Sequence, residues 1–201
     1  MKKGLMIVIS GPAGSGKGTV NAHLLATGEF VYSVSATTRA PRQGEIDGVN
    51  YHFISREEFE ARIASGGMLE YTEYCGNYYG TPRKEAEAVL DSGKNLILEI
   101  EVEGARNIKA RYPDAVLIML LPPSFSVQEQ RLRSRGTETE EKILERLART
   151  REEIKEAELY DYVVYNYDGA DKIAANEIYA ITTAERLTMK RNNGVAKTYF
   201  N

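Results

Sequence analysis

The chain has little cysteine, little histidine and no long apolar run. Its 201 residues include one cysteine, Cys75, and two histidines, His23 and His52. A single cysteine cannot form a disulfide within the chain, and neither histidine belongs to a pair of potential metal ligands. No apolar run approaches the roughly 20 residues that a membrane-spanning helix needs. We therefore expect a cytoplasmic protein that has no contact with a membrane and in which Cys75 is an unreactive free thiol.

An excess of basic charge is also missing. The chain has 26 Lys and Arg residues against 29 Asp and Glu residues, which gives a formal net charge of −3. Nucleic-acid coats and membrane-surface proteins normally carry a basic excess, so we expect neither kind of partner. The hydrophobic content of 42% is sufficient for a core, and the length suits one α/β domain with insertions.

Apolar, β-rich stretches alternate with helical patterns along most of the chain. They lie at 5–9, 30–35, 95–101, 115–121 and 162–165. Such alternation predicts a parallel sheet flanked by helices. The pattern is interrupted at 36–81, where we expect a small mixed lobe, and at 122–159, a charged helical region. Gly136 lies at its hinge, with Thr139 or Thr137 capping the next helix. A last helix is predicted at 171–190, followed by a loosely ordered tail at 191–201.

A glycine-rich loop follows the first predicted strand directly. It consists of Gly11, Pro12, Ala13, Gly14, Ser15, Gly16, Lys17, Gly18 and Thr19. Glycines let the backbone curl until successive N–H groups point at a phosphate, and the next helix adds the positive end of its dipole. A lysine at position 17 reaches the outer phosphates as a point charge. This spacing predicts a site for a nucleoside triphosphate.

Two arginines in a second loop indicate another anion site. Arg39 and Arg42 lie in a stretch that Pro41 and Gly44 keep from forming regular helix, and Glu45 is close enough in sequence to orient one of them. A guanidinium donates paired hydrogen bonds to phosphate oxygens, so the two arginines together suit a monophosphate. The alternative is a solvated basic loop.

Polar side chains after the second loop suit recognition of a base. Glu70 lies within an apolar strand, where a carboxylate needs hydrogen-bond donors, and guanine offers N1–H and N2–H2 on one edge. The alternative is a strand residue that faces solvent. In the segment 76–81, Tyr79 can donate to phosphate and Thr81 can meet a base edge, although this segment alone is also typical of a hairpin turn.

Two carboxylates end the third predicted strand. Glu99 and Glu101 are two residues apart, so both would project from one face of a continuous strand at its carboxyl end, where open α/β sheets bind ligands. They suit hydrated Mg²⁺, arginine orientation or a base amine. The alternative is strand termination at solvent.

Arginines surround the predicted hinge at 135–138. They are Arg131, Arg133, Arg135, Arg146, Arg149 and Arg151. Helical arginines usually pair with glutamates, here such as Glu129, Glu145 and Glu153, which leaves one or two for another role. Phosphoryl transfer depends on positioning and on neutralising charge, so free arginines beside a triphosphate loop favour that chemistry.

Taken together, these motifs resemble the guanylate kinase family over nearly the whole chain. The resemblance implies a P-loop NTPase fold, α/β, with a parallel core sheet flanked by helices, an inserted mixed lobe that binds the nucleoside monophosphate, and a helical lid. It implies a core at 1–35, 82–123 and 159–190, a GMP-binding lobe at 36–81, a lid at 124–158 and a tail at 191–201. The implied reaction is transfer of a phosphoryl group from ATP to GMP, with Mg²⁺.

The resemblance also assigns roles by position. Lys17, Arg135 and Arg146 are implied to be catalytic, and Asn166 lies near the adenine of ATP, with Arg135 stacking on that base. The implied GMP residues are Ser35, Glu70, Thr81 and Glu101 for guanine, and Arg39, Arg42, Tyr51 and Tyr79 for the phosphate, with Glu45 supporting them and Glu99 beside them.

Three positions depart from the family pattern. Gly18 stands where most P-loops have Ser or Thr, Glu103 stands where Gln is common, and Tyr167 replaces an Asp. With the hydroxyl moved to Thr19, we expect ATP oxygens and water to hold Mg²⁺, with no protein ligand assigned.

Two other functions remain open at this point. One is a kinase for a different phosphorylated acceptor, such as a ribose bisphosphate, although Glu70 and Ser35 favour a base. The other is an inactive module that binds a phosphorylated partner protein, which the intact loop at 11–17 disfavours. The oligomeric state, monomer or homo-oligomer, is also left open.

Overall fold

The structure is a computed structural model that describes residues 3–74, 76–136 and 138–199. The predictions for Cys75 and for a cap at Thr137 lie outside the described residues. The strands are β1 Met6–Ser10, β2 Phe30–Tyr32, β3 Ala36–Thr37, β4 His52–Phe53, β5 Met68–Tyr74, β6 Asn77–Pro82, β7 Asn95–Leu98, β8 Val116–Leu121 and β9 Tyr162–Tyr165. The helices are α1 Lys17–Ala26, α2 Arg56–Ala64, α3 Arg83–Asp91, α4 Val102–Arg111, α5 Phe125–Ser134, α6 Glu140–Lys155, α7 Asp171–Leu187 and α8 Val195–Tyr199.

The core is a parallel sheet with the strand order β2-β7-β1-β8-β9. Each of its strands falls within or beside one of the five predicted stretches, so the parallel sheet is confirmed. Its two faces are covered differently. Side chains of α1 and α7 pack on one face around Ile7 and Ile118, and those of α3 and α4 pack on the other around Val8 and Leu117. Burial of strands on both faces explains their nearly continuous apolar sequence.

A second sheet, with the order β4-β3-β6-β5, is inserted between β2 and β7. Its small core consists of Ala36, Phe59 and Met68, with Phe59 contributed by α2. The segment 77–82 is a strand rather than a turn, because it pairs antiparallel with β5 along its length. This pairing places Thr81 directly opposite Glu70.

The charged region after β8 forms two helices, α5 and α6. Ser124 caps α5 by accepting from Val127 N, and Thr139 caps α6 by accepting from Lys142 N. The cap at Thr139 is therefore one of the two that the sequence predicted. An apolar contact of Leu132, Ile143 and Leu147 joins the helices and includes Ala13 of the glycine-rich loop.

Three predicted boundaries are wrong. The strand expected at 95–101 ends at Leu98, so strand alternation does not extend to Glu101, which stands at the N-cap position of α4 without a capping side-chain hydrogen bond. The strand expected at 30–35 ends at Tyr32. The last long helix ends at Leu187, and the tail forms a 3₁₀ turn, Met189–Arg191, and α8.

The start of the tail is held by side chains, which explains its order. Arg191 donates to Glu185 and to the Asp114 carbonyl, and Asn192 donates to the carbonyls of Arg186 and Thr188. In the part of the chain that the structure describes, no helix is long and apolar enough to span a bilayer.

Candidate active site

The glycine-rich loop joins the carboxyl end of β1 to the N-terminus of α1, which begins at Lys17. Two glycines are required by close approach. A Cβ at Gly11 would lie 2.1 Å from the Leu120 carbonyl oxygen, and a Cβ at Gly16, where φ is +88°, would lie 2.2 Å from Asn166 Nδ2. The loop therefore curls tightly against β8 and the segment after β9, with the helix N-terminus facing its open side.

The lysine of the loop folds back over it. Lys17 Nζ donates to the Gly11 carbonyl at 2.6 Å and lies 3.4 Å from the Pro12 carbonyl. Gly18 and Thr19 are exposed in the first turn of α1, whereas Ser15 is buried. An ammonium hydrogen-bonded to carbonyl oxygens can exchange these bonds for phosphate oxygens at little cost.

A cleft of about 730 Å³ opens beside Lys17 between the two sheets and α6. Of the predicted site residues, it is lined by Gly11, Lys17, Ser35, Tyr51, Glu70, Tyr79, Glu99 and Glu101. This volume falls in the range of small-molecule sites. A smaller cavity of about 380 Å³ adjoins it and is lined by Gly18 and Glu45, among others. Residues from five separate stretches of sequence thus meet at one place.

Glu70 is buried on the wall of the cleft, with 2% exposure. The hydroxyl of Thr81 donates to its Oε1 at 2.7 Å. Burial raises the pKa of the Glu70 carboxyl, and hydrogen bonds from Thr81 and the charge of Arg111 oppose that rise. The alternative of a strand residue facing solvent is therefore wrong. A buried carboxylate that lines the cleft suits a ligand that donates two hydrogen bonds.

Arg39 and Glu45 form a two-point ion pair, and Glu45 lines the smaller cavity that adjoins the cleft. The guanidinium donates to both carboxylate oxygens, at 3.0 and 2.8 Å, and it lies over the rings of Tyr51 and Phe53. The hydrogen bond from Arg39 lowers the pKa of Glu45, with help from the Arg42 N–H. Arg39 is thus fixed rather than solvated, while Arg42 is exposed.

Glu99 and Glu101 have separate surroundings. Glu99 Oε2 accepts from Asn21 Nδ2 at 2.8 Å and lies 3.5 Å from the Tyr32 hydroxyl. Glu101 is exposed and accepts from Arg149 of α6 at 2.7 Å. Sequence reasoning missed Asn21, although a polar residue between the buried Val20 and Leu24 was an available signal.

Most arginines of α5 and α6 pair with carboxylates, as predicted. Arg133 pairs with Glu129 and Glu140, and Arg149 with Glu153, whereas Glu145 accepts from Lys142. The two arginines that the resemblance assigned to catalysis differ from each other. Arg146 pairs with Glu138 at 2.5 Å and its Nε is buried without a hydrogen-bond partner among the described residues.

Arg135 is exposed at the C-cap of α5. The ion pairs formed within 3–74, 76–136 and 138–199 do not include it. It is therefore available to a bound anion.

Asn166 lies behind the loop. It is 1% exposed, and its Nδ2 donates to the Ser15 carbonyl at 2.9 Å. Two residues of α5 also reach the loop, and sequence reasoning assigned no such contact to either. Gln128 donates to the Ala13 carbonyl, and Arg131 to the Gly14 carbonyl. A glutamine on the apolar side of an amphipathic helix was the available signal for Gln128.

The fold and the site define a P-loop protein of the α/β class, in which a mixed lobe and a pair of helices flank one cleft at the carboxyl ends of the parallel strands. The chain belongs to the guanylate kinase family, because the model of that family matches residues 3–180.

Individual guanylate kinases are similar to this protein over nearly the whole chain. A guanylate kinase of Halalkalibacterium halodurans is 52% identical over 191 residues, which are 94% of this chain and 93% of that protein. One of Carboxydothermus hydrogenoformans is 47% identical, over 96% and 94%. Among solved structures, guanylate kinase from Anaplasma phagocytophilum matches with a TM-score of 0.75 at 34% identity, over 94% and 90%.

Proposed function

We propose that the protein catalyses the reversible in-line transfer of the γ-phosphoryl group of ATP to GMP, which gives ADP and GDP in purine nucleotide metabolism. Membership of the guanylate kinase family supports this reaction. The observation that carries it is the position of Glu70, a buried carboxylate on the same cleft as the P-loop lysine. A phosphate-binding loop alone would suit many kinases, whereas a buried acceptor of two hydrogen bonds selects guanine over adenine.

ATP lies along the loop from Gly11 to Thr19, with Lys17 on its outer phosphates and Asn166 near its adenine. GMP lies across the cleft. Glu70, with Thr81 behind it and Ser35 and Glu101 nearby, binds the guanine edge. Arg39, Arg42, Tyr51 and Tyr79 bind its phosphate, with Glu45 holding Arg39 and Glu99 on the same wall. The phosphates of the two nucleotides then face each other near Lys17.

Transfer needs no general base, because the GMP phosphate is already an anion. The barrier comes from bringing two anions together and from the charge that spreads over the transferred group. Lys17 remains on the phosphates, and Arg135 and Arg146 of the lid, 124–158, approach as the lid and the lobe, 36–81, close. Closure also excludes water, which would otherwise hydrolyse ATP.

Mg²⁺ would fit this site as a hydrated ion bound to the ATP phosphates, and it would neutralise part of their negative charge. Position 18 is a glycine, and the described residues contain no cluster of three His, Cys, Asp or Glu that would hold a metal by themselves. We also propose that the protein acts in the cytoplasm, in keeping with its single cysteine.

ADP formation from Mg-ATP tests the proposal, with GMP, AMP, UMP, ribose bisphosphate and no acceptor compared in parallel. We expect strong turnover with GMP and with none of the other acceptors. Turnover with ribose bisphosphate in its place would identify a kinase for another phosphorylated acceptor. Measurable ATP binding without turnover on any acceptor would favour a module that binds phosphorylated proteins.

A further inference from the structure

The outer side of the P-loop is held by donors from elsewhere in the chain. Three consecutive carbonyls of the loop accept side-chain hydrogen bonds. Ala13 accepts from Gln128 at 2.9 Å, Gly14 from Arg131 at 3.1 Å, and Ser15 from Asn166 at 2.9 Å. Gln128 and Arg131 are three residues apart and so lie on one face of α5.

These contacts orient the peptide planes of the loop. In a trans peptide the C=O of one residue and the N–H of the next point in opposite directions, and the described chain has no cis bond. Because the Ala13 carbonyl points to α5, the Gly14 N–H points away from α5 and into the loop. The Ser15 N–H donates to the Pro12 carbonyl at 3.1 Å, which closes a tight turn within the loop. Inward N–H groups are what a triphosphate binds.

Gln128 has a second partner, which lies on α6. Its Nε2 donates to Thr150 Oγ1 at 2.7 Å, and that hydroxyl donates to the Arg146 carbonyl at 3.0 Å, one turn earlier in the helix. Gln128 and Thr150 are 1% and 4% exposed. A buried chain of hydrogen bonds thus runs from the P-loop through α5 to the turn of α6 that carries Arg146. The bond between Gln128 and Thr150 is buried, so water competes little for it.

We propose that Gln128 is a positioning residue for ATP, which holds the Ala13 carbonyl outward and so keeps the loop N–H groups in their binding orientation. Thr150 ties the same contact to α6 and so sets where Arg146 lies when ATP is bound. The inference rests on the proposed function for the role of Arg146, but its first part concerns ATP binding alone. Leu132 and Leu147 would pack the helices together without this polar pair, so packing does not account for it.

The test uses Gln128→Leu, which removes the donor at similar size. Its matched control is Gln130→Leu, the same change at an exposed position of α5. We expect Gln128→Leu to weaken Mg-ATP binding about tenfold, measured by calorimetry on the enzyme without GMP, because the Ala13 carbonyl loses its buried partner. GMP binding should stay within about twofold of the parent, and Gln130→Leu should leave both affinities unchanged.

The second part is tested with Thr150→Val and its control Thr182→Val. Thr182 is also buried and also donates to the carbonyl four residues earlier, but it lies in α7. We expect Thr150→Val to lower kcat about threefold with little change in KM for GMP, and Thr182→Val to leave kcat unchanged. In the double variant, kcat should be no lower than in Gln128→Leu alone, because both substitutions interrupt one chain of hydrogen bonds.

The inference is overturned if Gln128→Leu binds Mg-ATP as the parent does, even where its melting temperature falls. It is also overturned if both substrates weaken equally, since that indicates a general folding defect. A parent protein that binds ATP without phosphorylating GMP would contradict the proposed function and still leave the ATP-binding test valid.

Discussion

Thr81 and Glu70 face each other across the β5–β6 hairpin, and the threonine hydroxyl donates to Glu70 Oε1 at 2.7 Å with both side chains buried. This bond fixes one oxygen of the carboxylate. The other, Oε2, lies beside Gly104, where an added Cβ would come within 3.2 Å of it. The carboxylate is therefore held in one orientation before any ligand arrives, which lowers the entropy that binding costs.

Glu70→Gln should weaken GMP use while sparing ATP. The amide can still accept from Thr81 but offers guanine an NH₂ donor in place of one acceptor. We expect KM for GMP to rise about tenfold or more, with the Kd for ATP unchanged. Steady-state kinetics with each substrate varied would check this, with the exposed Glu85→Gln as control. Equal loss for both nucleotides would point to misfolding instead.

The same substitution should stabilise the free protein at neutral pH. Burial raises the pKa of Glu70 above its usual 4.5 in the folded state, so the folded chain holds this proton more tightly than the unfolded chain does. The neutral carboxyl makes its full contribution to stability at pH values below the pKa of Glu70 in the unfolded chain. That contribution is lost as the pH rises through the higher pKa of Glu70 in the folded chain. The amide of Glu70→Gln does not ionise, so the variant keeps this contribution at every pH. Its melting temperature should therefore exceed that of the parent at neutral pH, and the difference should be smaller near about pH 5. Equal melting temperatures at both pH values would contradict the raised pKa.

Lys17→Met should reduce turnover without unfolding the protein. Among the described residues, the hydrogen bonds of the Lys17 ammonium go to carbonyl oxygens of its own loop, at Gly11 and Pro12, so the fold loses little. The transferring phosphoryl group loses a cation, and we expect kcat to fall by about 10²–10³. Rapid-quench or coupled assays would measure it, alongside Lys84→Met at an exposed position of α3. A near-normal rate would refute the role given to Lys17.

Comparison of Arg135→Ala with Arg133→Ala distinguishes the loss of a catalytic arginine from the loss of positive charge at the same end of α5. Both residues are exposed, but Arg133 is paired with Glu129 and Glu140, whereas Arg135 is available. We expect Arg135→Ala to lower kcat by about 10³, as for an arginine that stabilises the transferred group, with unchanged melting temperature. Arg133→Ala should keep its rate. Similar rates for the two variants would remove Arg135 from the mechanism.

Arg39→Lys tests the geometry of the phosphate site. A lysine cannot reproduce the paired bonds of Arg39 to both oxygens of Glu45, so its charge would lie in a less defined position. We expect KM for GMP to rise about tenfold with a smaller change in kcat. Arg62→Lys, in a one-point pair on α2, is the control. An unchanged KM would mean that a positive charge at position 39 is sufficient to bind the phosphate, without the paired hydrogen bonds of a guanidinium.

Local patterns predicted most of the fold because each depends on neighbours in sequence. The stretch at 162–165 became a strand with those bounds, and the glycine-rich loop lies between a strand and a helix as its spacing requires. Boundaries failed where a contact from elsewhere decides them. The tail orders because Arg191 donates to the Asp114 carbonyl, 77 residues away. The strand predicted at 95–101 stops short because Glu101 takes the N-cap position of α4.

The sequence by itself determined the class of chemistry, because phosphate binding by Gly11–Lys17 and the arginine-rich loop at 39–45 are contiguous and depend on local backbone geometry. Only the tertiary structure decided what surrounds them. The burial of Glu70 depends on how β5 and the lobe pack, and the bonds of Gln128 and Asn166 to the loop join residues 115 and 151 positions apart. Contacts at such separation follow from strand order and helix packing, which no local pattern encodes.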